Sequence, residues 1–173
     1  IEWGLIGPGE AERIWERHIE NCLPLISLLP NEQIHIADIG SGAGLPGIVI
    51  ALARPSARIT LVEPIPRRVQ FLQESLKELG LDGSAIKVVK AKSEQVKERF
   101  DFVVARAVAP LPRLIETTWH LVKPKGSLLA IKGASVAQEM EGINLPTGAK
   151  RRLHEINLDD LPTGRVVEIT KAG

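Results

Sequence analysis

Two acidic residues flank a glycine-rich stretch in this chain: Asp38 opens "DIGSGAG" and Glu63 closes "ITLVE" further along. Gly40, Gly42 and Gly44 follow the apolar run "QIHIADI" directly, so no Cβ keeps the backbone away from a ligand. Dinucleotide enzymes use G-x-G-x-x-G to seat a pyrophosphate on a helix N-terminus, but here Leu45 stands at the third glycine position and Gly44 comes one residue early. Asp38 makes the pattern D-x-G-x-G. A carboxylate at the mouth of such a loop suits a ligand carrying a cation better than one carrying phosphates. Glu63 ends the next strand-like run, where an acidic side chain accepts both hydroxyls of a ribose. A ribose beside a positive centre is the outline of S-adenosylmethionine. An ordinary strand-to-helix turn with a surface Glu nearby is the plain alternative for the loop taken alone, and the joint occurrence of Asp38, the loop, Glu63 and the later "FDFVV" argues against it.

These residues need a scaffold, and the chain supplies one by alternation. "QIHIADI", "ARITLVE", "AIKVVKA", "FDFVVARA" and "GSLLAIKG" are short, β-branched and nearly continuous in apolar character, as strands buried on both faces read. Helical periodicity lies between them. In "RRVQFLQESLKELG", Val69, Leu72, Leu76 and Leu79 share a face and Gly80 sits at a C-cap position. In "PLPRLIETTWHLV", Leu111, Leu114, Ile115 and Val122 fall on one side. Residues 10–29 read as one amphipathic helix with Ile14, Trp15, Ile19 and Leu23 inward, ending before Pro30, and Trp15 and Trp119 read as packing residues. Right-handed crossovers between parallel strands give an α/β fold: a Rossmann-like, doubly wound, mostly parallel sheet with helices on both faces. "KRRLHEINL" and "GRVVEIT" break the rhythm and read as an antiparallel C-terminal hairpin at one edge. The expected organisation is one domain over 1–173, with an N-terminal helical segment at 1–30, a cofactor-binding core at 31–133 and the edge hairpin at 134–173.

Composition narrows the class. With 173 residues, 44% hydrophobic and a net charge of +1, the chain has enough apolar surface for a real core. Its apolar runs are shorter than a membrane span requires, and "IEWGLIGPGE" has no signal-peptide character, which points to a cytoplasmic protein without membrane contact. Cys22 is the one cysteine, so neither an internal disulfide nor a Cys-rich zinc site is available. The four histidines form no metal-ligand pattern. "KVVKAKSEQVKER" and "KRRLH" concentrate positive charge locally, which reads as solvated lysines or as a phosphate-facing patch.

"IGSGAGLPGIVIA", "LVEPIPRRVQFL", "ARAVAPL" and "LLAIKG", in that order, resemble the small-subunit ribosomal RNA guanine-N7 methyltransferases, the glucose-inhibited division protein B family. The resemblance covers about Glu12 to Gly133. It implies a Rossmann-like methyltransferase fold, S-adenosylmethionine as donor, and one guanine of 16S RNA, free or in the 30S subunit, as acceptor. The chain is expected to be a monomer. Gly40, Ser41, Gly42 and Gly44 would line the methionine side, Glu63 the ribose, and Ala91, Lys92, Ser93 and Glu94 in "AKSE" the adenine. Arg106 and Lys132 match basic positions facing the substrate and are the candidate catalytic residues, with Arg106 also assigned to the donor side. Arg17, His18 and Asn21 in "ERHIEN" match an N-terminal substrate motif. Ala105 and Cys22 depart from the family's usual serines, and the chain is shorter at its start and after Gly133.

Methyl transfer to a ring nitrogen that already bears a lone pair needs no proton removed, so no general base or metal is expected; positioning carries the catalysis. Guanine offers O6 beside N7, and a cation such as Arg106 or Lys132 reads that edge. His18, beside Ile14 and Cys22, reads equally as a hydrogen-bonded core partner. Rival readings keep part of this site: a Rossmann methyltransferase with a small-molecule or protein acceptor keeps every donor contact, and an NAD-binding or RNA-binding module keeps none of the chemistry.

Overall fold

The computed structural model describes residues 13–83, 85–106, 108–159 and 161–173. Five parallel strands form the centre: β1 (His35–Ile39), β2 (Arg58–Val62), β3 (Ile86–Val89), β4 (Phe100–Arg106) and β5 (Val122–Lys132). Their spatial order is β3-β2-β1-β4-β5, and β7 (Gly164–Thr170) and β6 (Lys150–Ile156) extend it antiparallel beyond β5. Strand order reverses between β1 and β4, which pair in parallel from Ile36↔Phe102 to Ile39↔Ala105. The carboxyl ends of these two strands therefore border the crevice where open α/β sheets take ligands.

Each buried strand feeds two cores because successive side chains point to opposite faces. Ile36, Ile59, Leu61 and Val104 pack on one side with residues of α1 (Leu23–Ser27), α2 (Gly47–Ala53) and α3 (Pro66–Glu78). Ala37, Ile39, Val103 and Ala105 pack on the other with Leu111, Leu114 and Ile115 of α4 (Leu111–Thr118). A short α5 (Val136–Met140) follows β5. Helix α3 closes as the sequence predicts. Gly80 takes φ +66°, its N–H donates to Lys77 O at 3.1 Å, and Leu81 N–H donates to Leu76 O at 2.8 Å, the paired bonds of a Schellman stop.

Three expectations are corrected. The helix expected over 10–29, of which residues 10–12 lie outside the described ones, is not regular from Trp15 on: a π turn at Trp15–Ile19 and a 3-10 turn at Glu20–Cys22 precede α1. The wide π turn breaks the 3.6-residue face, so Trp15 is 66% exposed while Cys22, Leu25, Ile26 and Leu29 are buried. Leu79 caps α3 rather than joining its inner face and is exposed. Val122 is buried, but as the first residue of β5, because α4 gives way to a 3-10 turn at Trp119–Leu121. Trp119 is half-buried as expected, and the Lys171 ammonium lies 5.1 Å from its ring centre. Among the described residues no helix is long and apolar enough to cross a membrane.

Candidate functional site

The glycine loop leaves β1 and is tied down from both sides. Gly40 and Ser41 N–H groups donate to Val62 O at 2.9 and 3.2 Å, fastening the loop to the end of β2. Gly42 N–H donates to Glu63 Oε2 at 3.0 Å, and Ile65 N–H donates to Oε1 of the same carboxylate at 3.0 Å. Glu63 is only 1% exposed. It braces the loop, and because a carboxylate offers about four lone-pair sites, each oxygen keeps acceptor capacity for a further donor.

The glycines divide by role. At Gly42, φ is +52° and the nearest atom to an added Cβ is Gly40 O at 3.6 Å, so the space is open. At Gly44, φ is +82° and a Cβ would stand 2.3 Å from Ile48 Cδ1, so that glycine lets α2 pack against the loop. Gly47, which sequence reasoning passed over, is required as well: a Cβ there would meet Leu61 at 2.3 Å and Asp38 Oδ2 at 2.7 Å.

Asp38 is not at the loop's mouth but beneath it, fully buried. Its Oδ2 accepts the Gly47 N–H at 3.0 Å, and the Ser41 hydroxyl donates to its main-chain oxygen at 2.9 Å. Oδ1 has no partner. Burial pushes this carboxyl up to about 7, against the opposing pull of the Gly47 N–H, the Ser41 hydroxyl and the Arg106 cation.

A cavity of ≈ 330 Å³ opens beside the loop, lined by Gly40, Val62, Pro64, Val108, Arg113 and the run Ala91, Lys92, Ser93 and Glu94. The expected "AKSE" segment and Gly40 thus meet in one place. Lys92 N–H donates to Gln95 Oε1 at 3.0 Å, the Ser93 hydroxyl donates to Glu94 Oε2 at 3.0 Å, and Arg113 pairs with Glu94 at 3.5 Å. The Glu94 carboxyl is held below its ordinary value by its own backbone N–H and by Ser93. Asp38, Ser41, Gly42, Gly44 and Glu63 are not among its lining residues.

A second cavity, ≈ 470 Å³, gathers His18, Asn21, Arg106 and Lys132 from the predicted set. Arg106 lines this one and not the cavity by the glycine loop. Its guanidinium donates to His18 O at 3.3 Å and to His18 Nδ1 at 3.2 Å. The Cys22 thiol donates to that same carbonyl at 3.1 Å, and burial pushes the thiol up to about 12, so it is no nucleophile. Lys132 donates to Ala109 O at 2.8 Å and to Glu139 Oε1 at 2.9 Å. The Arg17 side chain lies outside the described residues. Thr163, Gly164 and Arg165 complete the wall. Gly164 and Arg165 read from the sequence only as a strand start, and nothing local says that antiparallel pairing carries them to the crevice. A third, open cavity of ≈ 780 Å³ shares Val108 with the first and Lys132 with the second, so the three run side by side along the strand ends. Among the described residues no group of three His, Cys, Asp or Glu is arranged to hold a metal ion.

A glycine loop after β1, an acid after β2 and the order 3-2-1-4-5-7-6 define the Rossmann-like class that methyltransferases share. A methyltransferase from Pyrococcus furiosus has this fold, at 14% identity and a TM-score of 0.68 over 90% of this chain and 83% of that one. So does magnesium protoporphyrin IX methyltransferase from Synechocystis, solved with bound SAM, at 15% identity and 0.66 over 89% and 79%. The family model described as rRNA small subunit methyltransferase G matches residues 1–149, and the chain belongs to that family. Ribosomal RNA small subunit methyltransferase G from Acidothermus cellulolyticus is 51% identical over 140 residues, 81% of this chain and 62% of that protein. The protein of that name from Frankia casuarinae is 40% identical over 173 residues, 97% of this chain and 64% of the relative. The chain therefore spans less than two thirds of the length of these two relatives.

Proposed function

We propose that the chain carries the catalytic part of an S-adenosylmethionine-dependent methyltransferase that modifies N7 of one guanine in small-subunit ribosomal RNA, acting as a monomer. The observation that supports it most is the placement of a cavity by the glycine loop and a cation-lined cavity along the same strand ends, joined through Val108 and Lys132. The residues near the loop fit the donor. Open space at Gly42 admits a ligand against the backbone, Glu63 keeps acceptor capacity for ribose hydroxyls, and Asp38 holds below an oxygen that is unpartnered among the described residues.

When bound, S-adenosylmethionine supplies a methyl group on a sulfonium, which an unprotonated ring nitrogen takes by in-line displacement without losing a proton. The side chains have only to place the base. Arg106, fixed by His18, presents cationic N–H donors to a purine edge, and Lys132, 11% exposed, adds a second cation from the neighbouring strand. Holding both reactants in near-attack geometry supplies up to roughly 7 to 11 kcal/mol. Ala91 to Glu94 seat the adenine in this reading, and His18 with Asn21 contacts the acceptor.

The test is transfer of a labelled methyl group to unmodified small subunits and to their free RNA, followed by mass mapping of the modified nucleotide. Label at one guanine N7 is the expected result. Label on a small-molecule or protein acceptor instead would keep the donor site and overturn the acceptor, and the absence of S-adenosylmethionine binding in calorimetry would overturn both.

A further inference from the structure

Arg165, the second residue of β7, stands directly opposite Lys132 of β5 in antiparallel register. Both line the ≈ 470 Å³ cavity together with Arg106. Facing residues on adjacent antiparallel strands bring their Cβ atoms within about 4.5 to 5.5 Å, and like charges there repel. Each cation is paired with a separate acid. Lys132 donates to Glu139 of α5 at 2.9 Å, and Arg165 Nε donates to Glu155, its register partner on β6, at 3.0 Å. A guanidinium has five N–H donors, and among the described residues only Nε of Arg165 has a partner.

This juxtaposition is built, not incidental to a loop. Gly164 backs onto Pro24 of α1 so closely that a Cβ would stand 2.1 Å from the Pro24 ring. A proline ring cannot swing aside, so residue 164 has to be glycine for β7 to start here, and that start puts Arg165 on the same cavity as His18 and Asn21. Two cations held in facing register over a cavity that also carries base-edge readers fit a nucleotide's phosphate rather than its base.

We propose that Lys132 and Arg165 form a phosphate seat for the acceptor RNA, taking a phosphodiester next to the guanine presented to Arg106. The seat rests on the methyl-transfer reading and adds a backbone contact from β7, beyond the residues 1–149 that the family model matches. A phosphate contact contributes affinity and salt dependence without reading sequence.

The experiment measures binding of unmodified small-subunit ribosomal RNA across salt concentrations for the 173-residue chain and for R165Q, R165K and E155Q. R165Q is expected to bind about tenfold more weakly at low salt, with the slope of log K against log salt reduced by about 0.7 to 1. R165K retains the slope. E155Q breaks the same ion pair but leaves the cation, so it binds at least as tightly as wild type. Wild-type affinity and slope in R165Q overturn the seat, and so does a loss in E155Q or R165K as large as that in R165Q. Wild-type binding to the RNA with an unaltered R165Q leaves the methyl-transfer reading standing and removes only the seat, whereas a wild-type chain that does not bind the RNA overturns both.

Discussion

Asp38 and Glu63 show what burial does to residues that look like ligand contacts. Burial holds the Asp38 carboxyl up to about 7 from an ordinary value of 3.8, so between those values the folded chain keeps a proton that the unfolded chain has released. The native state then binds more protons, and Asp38's contribution makes stability fall as pH rises from about 4 to about 7. A difference of that size is worth on the order of 4 kcal/mol. Asp38→Asn cannot ionise and should flatten this part of the profile. Thermal unfolding of wild type and variant from pH 4 to 8 reads the difference, and superimposable profiles refute it. Glu63 is bound twice over to the backbone, so Glu63→Ala would leave two N–H groups unpaired at about 1 to 3 kcal/mol each and confuse binding with folding. Glu63→Gln keeps one acceptor and discards the charge. S-adenosylmethionine affinity should drop by about 1.5 to 3 kcal/mol, tenfold or more, in titration calorimetry, and undiminished affinity removes Glu63 from the donor site.

At the scale of elements, the glycine loop is two devices in one short run. Gly42→Ala places a methyl group in open space and Gly44→Ala places one 2.3 Å from Ile48, although both pay the left-handed backbone cost of about 1 to 2 kcal/mol. Donor binding should therefore fail in the Gly42 variant with modest loss of melting temperature, and the Gly44 variant should lose several degrees more. Equal melting temperatures would mean that α2 does not depend on the gap at Gly44. Much of this level was legible in the sequence. The strand-loop-helix order around Gly40, the α3 stop at Gly80 and the five parallel strands follow from periodicity and turn chemistry, which are local signals. Helical periodicity misplaced Trp15 and Val122 because a π turn and a 3-10 turn shift the face without changing composition. Asp38 was legible as the acid that opens the loop but not as a buried strut, since exposure depends on the Gly47 backbone arriving from α2.

Across the whole molecule, the ≈ 470 Å³ cavity draws on three distant stretches of chain: His18 and Asn21 from the N-terminal turns, Arg106 and Lys132 from β4 and β5, and Thr163 to Arg165 at the start of β7. Its first two contributors carried motifs, whereas the third became visible only through the pairing of Lys132 with Arg165. Arg106 ties the assembly together, because its guanidinium grips the His18 carbonyl that also receives the Cys22 thiol. Lys132 is tied instead to the loop after β4 and to α5, through Ala109 and Glu139. The two cations should consequently fail in different ways. Arg106→Ala removes a charge-assisted contact to the base edge and frees the N-terminal turns, so single-turnover methylation of saturating RNA should drop by about ten- to a hundredfold. Lys132→Ala should act on RNA affinity, flattening its salt dependence by about 0.7 to 1 in slope while the saturated rate falls less. Neither lies on the glycine-loop cavity, so S-adenosylmethionine affinity in calorimetry should match wild type in both. Donor binding lost in either variant, with RNA affinity intact, would transfer that residue to the donor site and leave the cavity beneath β7 without its reader.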